Sequence, residues 1–235
     1  MISHKHKAVF VHIPKCGGQS IERVFVEDNN LTWESRAPLL LRENNNELIG
    51  PPRLAHLGYE EYAKCGYASE EIMSEYRTFT VVRNPYKRLE SLYRYLGHNC
   101  SVNFEKFVDI IKNEVSANGS LYWFVKPQSD YICDESGNVL VDEVFHLESL
   151  SQSMPAFLKK FGISINEIPH TNKSKPKNFL RQNYTRFTYA LAGQFSWSWA
   201  VDSMVIWNDY TIRTVDEIYK NDFETLGYRT MEVKK

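Results

Sequence analysis

Two stretches of this 235-residue chain have residue types and spacings suited to holding an anion. The first is HIPKCGGQS, residues 12–20, where Lys15 and Cys16 precede Gly17, Gly18, Gln19 and Ser20. A glycine turn that feeds a helix start offers outward-pointing backbone N–H groups and the positive end of the helix dipole. Gly17 and Gly18 let the backbone approach an oxyanion closely. Ser20 adds a hydroxyl and Lys15 a mobile cation. The order is not that of an ATPase loop, G-x-x-x-x-G-K-[ST], because the lysine stands ahead of the glycines. The second stretch is VVRNPYKRLESLYRYL, in which Arg83 closes an apolar run and Ser91 follows about two helical turns later. Ligands of α/β proteins bind at such strand ends. A metal-dependent phosphoryl-transfer enzyme needs a carboxylate to hold Mg²⁺, and the second strand offers an arginine there. Two cationic strand ends predict a multiply anionic ligand held without a metal.

The elements that position these groups follow from pattern. AVFVHI, residues 8–13, is continuously apolar and β-rich, as a buried parallel strand is. Ile21, Val24 and Phe25 then recur at helical spacing. TFTVV, residues 78–82, predicts a second strand, with Asn84 as helix N-cap, Pro85 at the first helical position and Gly97 closing the helix. Residues 103–115 predict an amphipathic helix, 139–150 contain a strand, 153–162 a short helix ended by Gly162, and 214–228 a last helix. Lys87, Arg88 and Arg94 read as a solvated helix face. Residues 29–58 are polar and irregular, a loop-rich insertion. The alternation predicts an α/β fold, P-loop-like, with three αβα layers round a mainly parallel sheet. One domain spans residues 1–235, with 1–7 disordered.

Composition narrows the class. Hydrophobic residues at 43% and charged ones at 24% are ordinary for a globular chain. A net charge of −1 argues against a surface built for nucleic acid, so the anion site is local. No apolar run is long enough to span a bilayer, and AVFVHI is too short for a signal peptide, which predicts a cytoplasmic protein without membrane association. Cys16, Cys65, Cys100 and Cys133 lack metal-ligand spacing and read as free thiols. Cys16 is the one whose pKa an anion-binding loop would lower.

With these motifs in place, the chain resembles the sulfotransferases that use 3′-phosphoadenosine 5′-phosphosulfate (PAPS), in the branch of the Golgi carbohydrate enzymes of heparan and chondroitin type. VFVHIPKCGGQSI resembles that branch's 5′-phosphosulfate loop and FTVVRNPYKRLESLYRYL its 3′-phosphate motif. KPQSDYICDESGNVLVDEVFHLESL, IPHTNKS and IYKNDFETLGY follow in the family's order, so the resemblance runs from Ala8 to Tyr228. It implies that Lys15 stabilises the leaving 5′-phosphate, that Cys16, Gly17, Gly18, Gln19 and Ser20 wrap it, and that Arg83 and Ser91 hold the 3′-phosphate. Asn172, Lys173 and Ser174 resemble the loop that closes over the nucleotide, within a locally basic segment, residues 155–186. The family usually has threonine where Gln19 stands and often arginine where His146 stands. The run 195–207, FSWSWAVDSMVIW, lies outside the pattern and reads as core packing or a private substrate wall, with packing preferred.

Sulfuryl transfer also needs a base near neutrality, most simply a histidine. His4 and His6 fall in the expected disordered terminus, His12 reads as strand packing, His98 as a helix-end residue, and His170 lies in the basic loop. His56, in PPRLAHLGYEEY, lies between the two anion stretches, where related enzymes carry a base. It is the preferred catalytic base beside Lys15, against a plain surface-loop histidine, with Glu60 and Glu61 as alternatives or orienting partners. Trp33, Trp123, Phe124 and Tyr131 are candidate acceptor contacts or core. The expected reaction moves a sulfuryl group from PAPS to a hydroxyl or amine of a carbohydrate or small molecule, leaving adenosine 3′,5′-bisphosphate. The alternatives are a nucleotide kinase or NTPase of related fold, and a non-catalytic module that binds a 3′,5′-bisphosphate nucleotide.

Overall fold

The computed structural model describes residues 1–96, 102–165, 167–169 and 204–232. The chain groups into two compact units, Met1–Arg83 with Lys126–Asn172, and Asn84–Val125 with Lys173–Lys235.

The first unit is built on a four-stranded sheet of order β1 (Ile2–Ser3), β2 (Ala8–Val11), β3 (Arg77–Val82) and β4 (Glu143–His146). β1 runs antiparallel to β2, and β2, β3 and β4 are mutually parallel, with Phe10 opposite Phe79 and Val82 opposite His146. The sheet is thus mainly parallel and the fold mixed α/β, as the alternating pattern predicts. β2 is buried along its whole length, which explains its unbroken apolar run. Phe10 and Phe79 join one apolar cluster with Ile21, Val24 and Phe25 of α1 (Gly18–Asp28) and with Met154, Phe157 and Leu158 of α8 (Leu150–Lys159). This packing anchors α1, and with it the turn at the end of β2. The remaining helices of this unit are α2 (Tyr59–Lys64), α3 (Glu70–Glu75) and α7 (Ser129–Ile132). Within residues 29–58 the regular structure is three short 3₁₀ turns, Ala37–Leu39, Glu47–Ile49 and Leu54–His56.

The amino-terminal segment departs from expectation. Residues 1–7, expected to be disordered, pair as β1 against β2, and the Met1 and Ile2 side chains are buried. His6 lies under this hairpin, its Nδ1 2.7 Å from Ser3 Oγ and its Nε2 2.8 Å from Asp28 Oδ2. The hydrogen bond from Lys5 above all holds the Asp28 carboxyl below the usual carboxylate range; burial opposes it, and His6 adds to the lowering. Short polar sequence hid a strand whose stability comes from its neighbour.

The second unit holds α4 (Pro85–Tyr95), α5 (Phe104–Ser116), α6 (Tyr122–Val125) and two closing helices, Asp209–Ile218 and Lys220–Leu226. They pack through Tyr86, Leu89, Leu92, Phe107, Ile111, Val215 and Phe223. Asn84 caps α4, its Oδ1 accepting from the N–H groups of Tyr86 at 3.1 Å and Lys87 at 3.3 Å. The expected terminal helix is two, because Tyr219 leaves helical geometry between them at φ −111°, ψ 26°. Gly97, assigned as the helix end, lies outside the described residues. Arg88, read as part of a solvated face, is buried instead, and its Nη2 donates to the Phe124 carbonyl at 3.3 Å. Trp207 packs edge-on to Tyr86 and Phe104, with its indole N–H donating to Glu90 Oε1 at 3.1 Å.

Candidate active site

The glycine turn leaves β2 at Val11 and enters α1 at Gly18. Lys15 and Gly17 both adopt left-handed backbone conformations, at φ 69° and φ 81°. For lysine that region costs about 1–2 kcal/mol, and strain of this kind concentrates where a backbone must present its amides or a side chain in a fixed direction. Gly17 is the N-cap of α1 and has no side chain with which to cap it, and no acidic residue occupies the first turn of the helix. That start therefore suits an external anion better than one supplied by the chain itself. Gln19 is exposed, and Lys15 and Ser20 are half-buried.

The two glycines have different jobs. A methyl group on Gly17 would lie 2.6 Å from Leu147 Cδ1, and the residue also needs its positive φ. A methyl on Gly18 would lie 2.1 Å from the His12 ring, so Gly18 makes room for an imidazole packed flush against the turn. Cys16 is fully buried, its thiol donating to Gln128 Oε1 at 3.2 Å and lying 3.7 Å from the Pro14 carbonyl. It braces the loop from inside, a placement different from the accessible thiol that a lowered pKa would make reactive.

Arg83 follows the end of β3, and its Nη1 donates to the Lys15 carbonyl at 3.2 Å. The two cationic positions are thus tied directly. Ser91 is half-buried on α4, in the second unit. Asn172, Lys173 and Ser174 lie outside the described residues, as do His98 and His170.

His56 ends the third 3₁₀ turn and is only 7% exposed, so it is no surface-loop histidine. Its Nδ1 lies 2.8 Å from the His12 backbone carbonyl. A carbonyl only accepts, so Nδ1 carries the hydrogen and, in the neutral ring, Nε2 carries the lone pair. Burial above all, then the adjacent His12 imidazole, holds the His56 pKa well below the usual histidine range. The bond to the His12 carbonyl opposes this and the Arg53 charge adds to it. The His12 and His56 ring centroids are 4.5 Å apart, and His12 Nδ1 sits 2.5 Å from Glu22 Oε1, both side chains buried.

His12, Glu22 and His56 line one cleft with Gln19 of the glycine turn and with Trp33, Arg36, Arg42 and Arg53 from residues 29–58. The Arg36 guanidinium stacks on the Trp33 ring at 4.2 Å. Glu60 and Glu61 are committed elsewhere: Glu60 pairs with Lys64 at 2.5 Å, and Glu61 accepts from the Gly58 N–H at 2.5 Å, capping α2. Of the other aromatic candidates, Phe124 is core, and Tyr131 is buried beneath the Lys126 ammonium, 4.3 Å from its ring centroid. Sequence reasoning missed the Glu22–His12 pair, the arginines of the cleft and Gln128. Ten residues separate His12 from Glu22, a spacing with no periodic signature, and scattered arginines in a polar loop look like ordinary surface charge.

The end of the mainly parallel sheet thus carries a glycine turn that opens α1, an arginine tied to that turn, and the buried His56 packed beside His12. The model of the sulfotransferase family matches residues 1–229, and the chain belongs to that family. The mixed α/β architecture is consistent with its αβα fold. No curated protein and no solved structure matches the chain significantly. Among the described residues, no helix is long and apolar enough to cross a membrane.

Proposed function

We propose that the chain is a PAPS-dependent sulfotransferase acting on a hydroxyl or amine of a carbohydrate or small-molecule acceptor. The observation that carries this reading is that a neutral-favoured histidine, with its tautomer set, shares one cleft with Gln19 of the glycine turn. The residues fit the donor: a helix start with glycine as its N-cap, a left-handed Gly17 and two linked cationic positions suit a nucleotide with more than one anionic group.

PAPS supplies a sulfuryl group activated by its 5′-phosphate. His56 Nε2 takes the proton from the acceptor hydroxyl as that oxygen attacks sulfur in line. Lys15 and the amides of Gly17, Gly18, Gln19 and Ser20 neutralise the charge that builds on the departing phosphate. Arg83, Ser91 and the segment Asn172, Lys173 and Ser174 hold the 3′-phosphate side. Arg36, Arg42 and Arg53 round the cleft suit acceptors bearing acid groups, as chains of the heparan and chondroitin type do, and Trp33 offers a face for a sugar ring. Cysteines 16, 65 and 133 are free thiols, which agrees with a cytoplasmic setting.

Transfer of ³⁵S from labelled PAPS across acidic sugars, neutral sugars, phenols and amines tests the reading. His56→Ala is expected to lower kcat by about 10²–10⁴-fold while leaving affinity for adenosine 3′,5′-bisphosphate unchanged. Retention of most turnover removes His56 as base, and nucleotide binding without transfer to any acceptor favours the non-catalytic module. The pH sign follows from the same residue. A base whose pKa lies below the usual histidine range is already deprotonated at neutrality, so the acid limb of kcat/KM is expected below pH ~6.5.

A further inference from the structure

The described residues contain a side chain that bonds both to Arg83 and to the glycine turn next to Lys15, and that neither the family match nor the motif reading assigns. Gln128 stands just before α7 and is completely buried. Its carboxamide pairs with the backbone of Arg83 in both directions: Oε1 accepts from the Arg83 N–H at 2.8 Å, and Nε2 donates to the Arg83 carbonyl at 2.8 Å. The same Oε1 accepts from the Cys16 thiol at 3.2 Å. The circuit closes through Arg83 itself, whose Nη1 donates to the Lys15 carbonyl at 3.2 Å. Gln128 thus continues the hydrogen-bonding of β3 past its end and clips the glycine turn to it.

This arrangement does more than fill space. A buried carboxamide has two donor hydrogens and a two-lone-pair acceptor, and here both ends are used on main-chain or loop groups. Leaving such groups unpaired is costly, so the clip is held in one geometry. The Arg83 side chain leaves from the clipped residue, and the left-handed Lys15 lies next to the clipped thiol. The distance between the two cations is therefore set from behind by a residue that itself need not reach any ligand.

We propose that Gln128 is a positioning residue that fixes the spacing of the Lys15 turn and Arg83, and thereby sets the preference for a 3′,5′-bisphosphate nucleotide over a 5′-monophosphate. This rests on the reading that the turn holds the 5′ group and Arg83 the 3′ group. A ligand with one phosphate uses one position and is indifferent to their spacing. A bisphosphate must satisfy both at once, so an error in spacing falls on it alone.

Calorimetric binding of adenosine 3′,5′-bisphosphate and of adenosine 5′-monophosphate to the whole chain tests this without any turnover. Wild type is expected to favour the bisphosphate. Gln128→Met, which keeps the volume and removes both polar ends, is expected to narrow that ratio about tenfold, chiefly by weakening the bisphosphate. In an Arg83→Met background the same change is expected to leave the ratio where Arg83→Met alone puts it, because Gln128 acts through Arg83. A general packing role would weaken both nucleotides alike in both backgrounds, and that result overturns the proposal. Should Gln128→Met fail to fold by thermal melting, Cys16→Ala removes only the thiol arm and is expected to narrow the ratio about two- to fivefold. An unchanged ratio then overturns it equally. A wild type with equal affinity for both nucleotides overturns the donor reading, and this inference with it, whereas a wild type with the preference and an unmoved Gln128 variant overturns this inference alone.

Discussion

The turns from parallel strand to helix at Pro14–Gly18 and at Arg83–Pro85 prepare their helices in opposite ways. At the first, Lys15 and Gly17 take left-handed conformations, the N-cap Gly17 has no side chain to cap α1, and no carboxylate sits in its first turn. At the second, Asn84 Oδ1 accepts from the Tyr86 and Lys87 amides and Pro85 occupies the first helical position, so α4 is satisfied by its own sequence. On the proposed reading, the first turn would hold an anion with its backbone and Lys15, and the second with the Arg83 side chain. Similar strand–turn–helix sequences can therefore bind through different chemistry, and the cap residue decides which.

Mutations separate the two modes. The largest expected effect is at Lys15: Lys15→Ala removes the charge opposite the leaving group and is expected to lower kcat about 10²–10³-fold, as loss of one transition-state donor does, with little change in melting temperature. Single-turnover ³⁵S transfer reads it, and an unchanged rate would put the leaving-group role elsewhere. Gly18→Ala comes next. Its methyl would meet the His12 ring, and overpacking of this kind costs about 1–3 kcal/mol, visible in urea unfolding. Because His12 carries the carbonyl that orients His56, transfer is expected to fall as well; a stable and fully active Gly18→Ala would mean that the imidazole moves aside freely. The smallest effect is at Asn84. Asn84→Ala is expected to cost about 1 kcal/mol of stability through the lost cap and to leave Lys15-dependent transfer intact. A loss of binding at the first turn in this variant would erase the distinction between the two.

Legibility in the sequence follows the range of the interaction. The β2 and β3 strands, the Asn84–Pro85 start of α4 and the amphipathic α5 are local patterns, set by apolar runs, periodicity and capping chemistry within a few residues. The strand formed by Ile2 and Ser3 carries no such pattern, since two residues become a strand only when Ala8 and Val9 lie alongside. The burial of Arg88 was hidden for the same reason: its helix position looked like the solvated neighbours Lys87 and Arg94, whereas its interior contacts, the Phe124 carbonyl and the Tyr219 ring among them, come from distant parts of the helical unit.

The site divides along the same line. By itself the sequence determined that Lys15, two glycines and Ser20 form one turn and that Arg83 ends a strand, because these groups are contiguous and their geometry follows from the backbone between them. Only the tertiary structure decided that Gly18 makes room for His12, that the His56 tautomer is set by a carbonyl 44 residues away, and that Gln128 joins Arg83 to Cys16. Those contacts bring together segments far apart in the chain. A buried polar group must find its partner wherever the fold places one, and linear spacing carries no record of that place.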